Sequence, residues 1–212
     1  MTCAQCKGAD KLFSGVHVSR ELKKYRRKGP RGTTRTLIDA LRGEGVDGAT
    51  LLDIGGGVGA IQHELLGAGA TRATGADAAT DYLEAARQEA ERQGHADRVA
   101  FHHGDFVAIA DRLDTADIVT LDRVICCYPD VKALVRASVS KARRLYGVVY
   151  PRDVWWTRLG SRFLNLFLWA SRNPFRVFVH SSRDVDALVR EAGLERRLTR
   201  LTPNWQIVLY SR

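Results

Sequence analysis

The sequence predicts an α/β protein: a mostly parallel seven-stranded sheet with helices on both faces and a C-terminal antiparallel hairpin. Three observations carry that reading. Short apolar runs alternate with helix-period segments from Ala49 to Tyr150, the pattern of repeated β-then-α units. The apolar run Leu51–Ile54 enters a loop of four glycines in five positions, Gly55 to Gly59, which opens straight into a helical pattern. The two final apolar runs are joined around Thr202-Pro203, a connection too short for a crossover helix, so they must pair antiparallel.

The elements follow in order. A Cys-containing polar tip precedes a basic helix around Val18 to Lys28, broken by Pro30 and Gly32. Thr33 or Thr34 caps the next helix, whose apolar face holds Leu37, Ile38 and Leu41. Ala49–Ile54 is a strand, Ala60–Leu66 a helix, Ala70–Ala76 a strand, and Ala79–Gln93 a helix ended by Gly94. Val99–His102 and Ile118–Leu121 are strands, followed by a helix from Val131 to Arg144 and the strand Leu145–Tyr150. A helix rich in Trp, Phe and Leu runs from Val154 to Ser171 and stops at Asn173-Pro174. Arg183–Ala192 is a helix, and Glu195–Leu201 with Trp205–Tyr210 form the hairpin.

A chain of 212 residues, 45% hydrophobic and 27% charged, has the material for one sizeable core plus an appendage. These proportions exclude a disordered, collagen-like or disulfide-framework design. The start, MTCAQCKGAD, is too polar for a signal peptide, and Phe163 to Ala170 falls short of the roughly 20 residues that span a bilayer. A cytoplasmic protein without a transmembrane segment is the expectation. The formal net charge of +9 favours an anionic partner, and much of the excess lies between Arg20 and Arg35.

The glycine loop carries the chemistry. Glycines let a backbone turn sharply and approach a ligand, and the helix start behind them offers unpaired amide donors. Asp53 precedes the first glycine by two residues, where a carboxylate repels a pyrophosphate but serves an ammonium-bearing ligand. Asp77 ends the second strand 18 residues beyond Gly59, near the spacing at which an acid accepts ribose hydroxyls.

At these residues the chain resembles the class I S-adenosylmethionine-dependent methyltransferases, and the resemblance runs from Ala49 to Tyr150. It implies a Rossmann-like methyltransferase fold, S-adenosylmethionine as cofactor, and a methyltransferase activity. Asp53, Gly55, Gly57 and Gly59 would hold the amino-acid end of the cofactor, and Asp77 with Ala78 the ribose. Gly104, Asp105 and Phe106 would hold the adenine, and Asp122, ending Asp117-Ile-Val-Thr-Leu-Asp122, would lie under the reacting sulfur. The segment Leu121 to Pro129, and Phe178-Val-His180-Ser, are similar to the magnesium-protoporphyrin IX O-methyltransferase branch, which carries His where this chain has Cys127. On this reading residues 1–32 are a basic arm that closes as a lid, with Tyr25 over the cofactor, and residues 33–212 are the methyltransferase domain.

The acceptor should lie beyond the ends of the fourth and fifth strands, against Tyr128, Tyr150, Arg152, Trp155 and Trp156. The aromatic helix after them reads as core packing, as a cover over a flat acceptor whose carboxylates meet Arg152, Arg172 and Arg176, or as a peripheral membrane contact. His180, Tyr128 and Asp122 are the candidate catalytic groups. No metal is expected: Cys3 and Cys6 form one CxxC without a second, and Cys126-Cys127 read as small buried hydrophobes.

The expected reaction is methyl transfer to a small apolar or aromatic acceptor, at oxygen. An RNA or DNA methyltransferase using the basic arm is the rival. Against it, Cys126-Cys127-Tyr128-Pro129 stands where base-methylating enzymes carry Asn/Asp-Pro-Pro-Tyr or Pro-Cys. A non-catalytic cofactor-binding module is the third reading.

Overall fold

The computed structural model describes residues 4–212. Two N-terminal helices, α1 (Ala4–Leu12) and α2 (Val16–Lys28), precede α3 (Gly32–Gly43). Alternation then begins: β1 (Thr50–Ile54), α4 (Ala60–Leu66), β2 (Arg72–Asp77), α5 (Thr80–Arg92), β3 (Val99–His103) and the one-turn α6 (Phe106–Ile109). It continues with β4 (Ala116–Asp122), α7 (Val131–Val139) and β5 (Ala142–Pro151). The chain ends with α8 (Trp155–Ala170), α9 (Ser182–Glu191), β6 (Glu195–Leu201) and β7 (Trp205–Ser211).

The described strands form one sheet in the order β3-β2-β1-β4-β5-β7-β6. The pairs from β3 to β5 are parallel, and β7 runs antiparallel to both β5 and β6. Strand order reverses between β1 and β4, and a crevice for ligands opens at such a reversal beyond the strands' carboxyl ends. The register sets Asp53 beside Gly75 on one side and Thr120 on the other.

Both faces of the sheet are covered, as parallel strands require. Leu52, Ile54, Val119, Leu121, Tyr146 and Val148 pack with α7 and α9 on one face. Leu51, Ile118, Leu145 and Val149 pack with α3 and α4 on the other. A third, smaller cluster joins Val18 and Leu22 of α2 to Val58, Ala79, Tyr82 and Ala85. The basic arm is therefore docked, with its apolar stripe on the glycine loop and α5.

Two expectations need correction. The helix expected to reach Arg144 stops at Val139, because β5 already pairs with β4 at Ala142. The N-terminal tip, from Ala4 onward, is the helix α1 rather than a polar tail. It has little apolar surface to bury and holds by polar clamps. Gln5 Nε2 donates to the Cys127 and Arg176 carbonyls at 2.7 Å each, and the Arg176 amide donates to Gln5 Oε1 at 3.0 Å. Gly8 lies so close to Phe175 that a Cβ there would stand 2.4 Å from its backbone nitrogen. Cys3 lies outside the described residues.

Replacing Val18 by Asp puts an unpaired charge into the small third cluster. Amide exchange across residues 16–28 should then accelerate while β1, β4 and β5 keep their protection. Uniform loss of protection would show that the arm and the sheet unfold as one unit.

Candidate active site

β1 ends in a loop whose glycines adopt left-handed backbone: φ is 64° at Gly55, 57° at Gly57 and 78° at Gly59. Gly56 is required for another reason. Its Cβ would stand 2.3 Å from Asp53 Oδ2 and 2.7 Å from Gln62 Nε2, so the loop backbone rests directly on a buried carboxylate.

That carboxylate is fully buried. Thr120 Oγ1 donates to it at 2.6 Å and Gln62 Nε2 at 3.1 Å. Both donors are neutral, so they only partly offset desolvation, and burial pushes the Asp53 carboxyl up to about 7. Beside it, Gln62 Oε1 and His63 Nε2 are buried without a hydrogen-bond partner. Both face Gly59, where a Cβ would lie 3.2 Å and 3.0 Å from them. His63 Nδ1 lies 3.1 Å from His95 Nδ1, and burial with the His95 neighbour pulls His63 down to about 4. An unsatisfied acceptor beside a carboxylate that lacks a cation suits a donor-rich, positively charged ligand group.

Asp77 stands at the tip of β2. Its Oδ2 accepts from the Gly57 amide at 3.3 Å and its Oδ1 from the Ala79 amide at 2.9 Å, tying the glycine loop to the start of α5. Burial raises this carboxyl to about 6 against those bonds. At the tip of β3, the Gly104 amide donates to the Asp77 carbonyl at 3.0 Å. Asp105 then caps α6 through the Val107 amide at 3.1 Å and accepts from the Tyr128 hydroxyl at 2.9 Å. Ala78 offers its carbonyl to His103 Nε2 at 3.2 Å. Phe106 itself is buried in the core. Asp122, at the tip of β4, accepts from the Thr34 hydroxyl and, at 3.2 Å, from Arg123 Nε.

The sheet's carboxyl edge thus gathers the predicted residues of four strand ends. Others take different places. Tyr150 is 1% exposed, in the core cluster that β5 shares with α9, so it faces the core and no acceptor. Tyr25 points its hydroxyl at Gln93, which donates to it at 3.3 Å, and stacks at 6.4 Å on His63, so it closes the outer side of α5 instead of the mouth. His180 Nε2 is 2.9 Å from the Tyr128 carbonyl, and burial lowers its pKa, so it stays neutral at pH 7 and fixes the loop after β4. Arg152 donates to the Thr202 carbonyl at 3.1 Å and lies 5.9 Å from the Trp156 ring, whose Nε1 donates to the Pro203 carbonyl at 3.1 Å. Trp155 is 71% exposed.

Sequence reasoning missed Thr120 and Gln62, which hold the Asp53 carboxylate near the end of β1, and it read Thr33 or Thr34 as a helix cap, whereas α3 already begins at Gly32 and the Thr34 hydroxyl donates to Asp122 at the end of β4. A hydroxyl in the otherwise apolar run Ile118–Leu121 was the legible sign of the first. It also missed Glu21, which accepts from the Tyr82 hydroxyl at 2.5 Å and pins the arm beside Gly57.

Comparison with known proteins follows the same lines. Residues 51–145 match a family described as a methyltransferase domain. The chain has the class I methyltransferase fold. The magnesium protoporphyrin IX methyltransferase of Synechocystis PCC 6803 superposes with a TM-score of 0.74 at 18% identity, over 98% of this chain and 99% of that one. The mitomycin 7-O-methyltransferase matches at 0.64 and 22% identity, over 95% of this chain and 60% of that one. A putative sarcosine dimethylglycine methyltransferase from Galdieria sulphuraria matches at 0.66 and 14% identity, over 84% of each chain. No match was found among curated proteins.

The raised carboxyls make a stability prediction. The folded chain binds a proton at Asp53 up to about pH 7, whereas the unfolded chain releases it near 3.8. Stability from this group is fully present below the lower value and is lost as pH rises through the upper one. Asp53→Asn should flatten the fall in unfolding midpoint across that window and raise the midpoint above pH 7. An equally steep fall in the variant would place the pH dependence elsewhere.

Proposed function

We propose that the chain transfers a methyl group from S-adenosylmethionine to an oxygen of a small apolar or aromatic acceptor. The observation that carries this reading is the buried Asp53 carboxylate with the unpartnered Gln62 Oε1 beside it, under a loop of left-handed glycines. These groups suit the ammonium of the cofactor's amino-acid end. Asp77 suits the ribose hydroxyls, and Asp105 with the adjoining Phe106 backbone suits the adenine. The cofactor supplies a methyl group on a sulfonium, which is displaced in line. Orientation is then the main task of the protein, worth up to about 7–11 kcal/mol in favourable intramolecular systems.

The candidate bases favour one class of acceptor. His180 is committed to the Tyr128 carbonyl, the Tyr128 hydroxyl to Asp105, and Asp122 to Thr34 and Arg123. A carboxylate oxygen is already ionised at neutral pH and needs no base. Methyl esterification of an apolar carboxylic acid therefore fits these commitments best. In this reading His180, Tyr128 and Asp122 position the floor and wall of the site, and the arm of residues 1–32 is its cover. The magnesium protoporphyrin IX methyltransferase fold match supports a flat, carboxylate-bearing acceptor. The basic face of α2, where Arg20, Lys23, Lys24 and Arg27 line an open groove, favours nucleic acid as the second reading.

Calorimetry should detect binding of S-adenosylhomocysteine. Asp77→Ala should weaken it about 10- to 100-fold, since two hydrogen bonds to a charged acceptor are lost. Unchanged affinity would refute the assignment. Labelled methyl transfer should reach aromatic or porphyrin carboxylic acids and leave tRNA and duplex DNA unlabelled. Incorporation into nucleic acid alone would select the second reading, and cofactor binding without turnover on any acceptor would select a binding module.

A further inference from the structure

Helix α8 faces the wrong way for a helix bathed in water. Its inward side is thin: Leu168 is buried, and Asn165 is held by Val177, donating to its carbonyl at 2.8 Å and accepting from its amide at 2.7 Å. At 100° per residue, Trp155, Leu159, Phe163, Leu166, Phe167 and Ala170 fall in one outward sector of about 120°. Trp155 is 71% exposed, Phe163 63%, Leu166 59% and Phe167 69%, and no charged side chain interrupts the sector. A monomer bathed in water rarely keeps such a surface uncovered.

The charge around the stripe indicates what covers it. From residue 152 to 176 the chain carries Arg152, Arg158, Arg162, Arg172 and Arg176 against the single acid Asp153. Arg158 and Arg162 border the apolar sector; Arg158 Nε donates to Asp153 Oδ1 at 2.6 Å, and both arginines, Asp153, Trp155 and Leu159 line an open groove of about 430 Å³. A second copy packed on this stripe would bring two sets of those arginines together with only Asp153 to offset them. A surface of anionic headgroups over acyl chains complements both features. The helix has 16 residues, about 24 Å at 1.5 Å each, and no helix among the described residues is long and apolar enough to cross a membrane.

We propose that α8 seats this protein on an anionic lipid surface, with its Trp-, Phe- and Leu-bearing face at the headgroup–acyl boundary and Arg162 on lipid phosphates. Docking does not rest on the methyltransferase reading. If that reading holds, docking brings the segment that follows β5, beside the acceptor side of the sheet, to the lipid from which an apolar acid would partition.

The test is co-sedimentation of the full chain with phosphatidylcholine vesicles, with and without phosphatidylglycerol. Three of the four tryptophans lie on α8, so their emission reports its environment. Binding should require phosphatidylglycerol, weaken with salt and shift the emission to the blue. Phe163→Glu with Phe167→Glu should abolish it, and Arg162→Glu should weaken it about fivefold or more. All three side chains are exposed, so circular dichroism and thermal midpoint should hold steady in both variants. Absence of wild-type binding would overturn the proposal. So would binding that survives the double substitution but is lost when Arg20 and Lys24 of α2 become Glu, and so would a dimer that the double substitution dissolves without any vesicle binding.

Discussion

A carboxylate buried without a cation governs this molecule. Asp53 lies at the end of a central strand, with the glycine loop pressed on it from above and only two neutral donors to satisfy it. Burying an ionised carboxylate is costly unless it is paired, and the protein meets that cost by pushing the group toward its neutral form. The arrangement is a poor way to stabilise an empty domain. It is a good way to reward a ligand that brings a positive charge.

The rest of the site depends on that placement. The loop can sit on Asp53 only because Gly56 has no side chain, and its amide at Gly57 then reaches Asp77 on the neighbouring strand. From Asp77 the connection runs to Gly104, and from Asp105 to Tyr128, so the tips of β1, β2, β3 and the loop after β4 are joined by hydrogen bonds. The arm docks against the glycine loop and the loop after β4 by two different means. α2 docks its apolar stripe on Val58 and Tyr82, while α1 clamps the loop after β4 to the segment after α8 through the single side chain of Gln5. The basic face that dominates the arm's composition points away from this docking.

Much of the fold and part of the site were legible in the sequence, for local reasons. The alternation of apolar runs and helix-period segments located the strands, and the spacing of Asp53, Gly55, Gly57 and Gly59 is set by backbone geometry within one loop. Side-chain partners distant in sequence were not legible. Thr120 reaches Asp53 across 67 residues, and Thr34 reaches Asp122 across 88. Tyr150 was misplaced because β5 is buried on both faces, so alternation along it says nothing about which residues face the mouth. α1 escaped notice because its anchors include an amide side chain, a carboxylate that caps α5 at Thr80 and a glycine's close approach, none of which leaves a hydrophobic period.

If the buried carboxylate is what recognises the cofactor, binding must change its protonation. Titration calorimetry of S-adenosylhomocysteine near pH 7, repeated in buffers of different ionisation enthalpy, measures that change directly. The wild-type chain should release more protons than Asp53→Asn, by a fraction of a proton that grows as the pH is lowered from about 7 toward 6. Equal proton linkage in the two proteins would mean that the charge state of Asp53 does not change when the ligand arrives, which contradicts the account of a neutralised carboxyl that ionises to receive the ammonium.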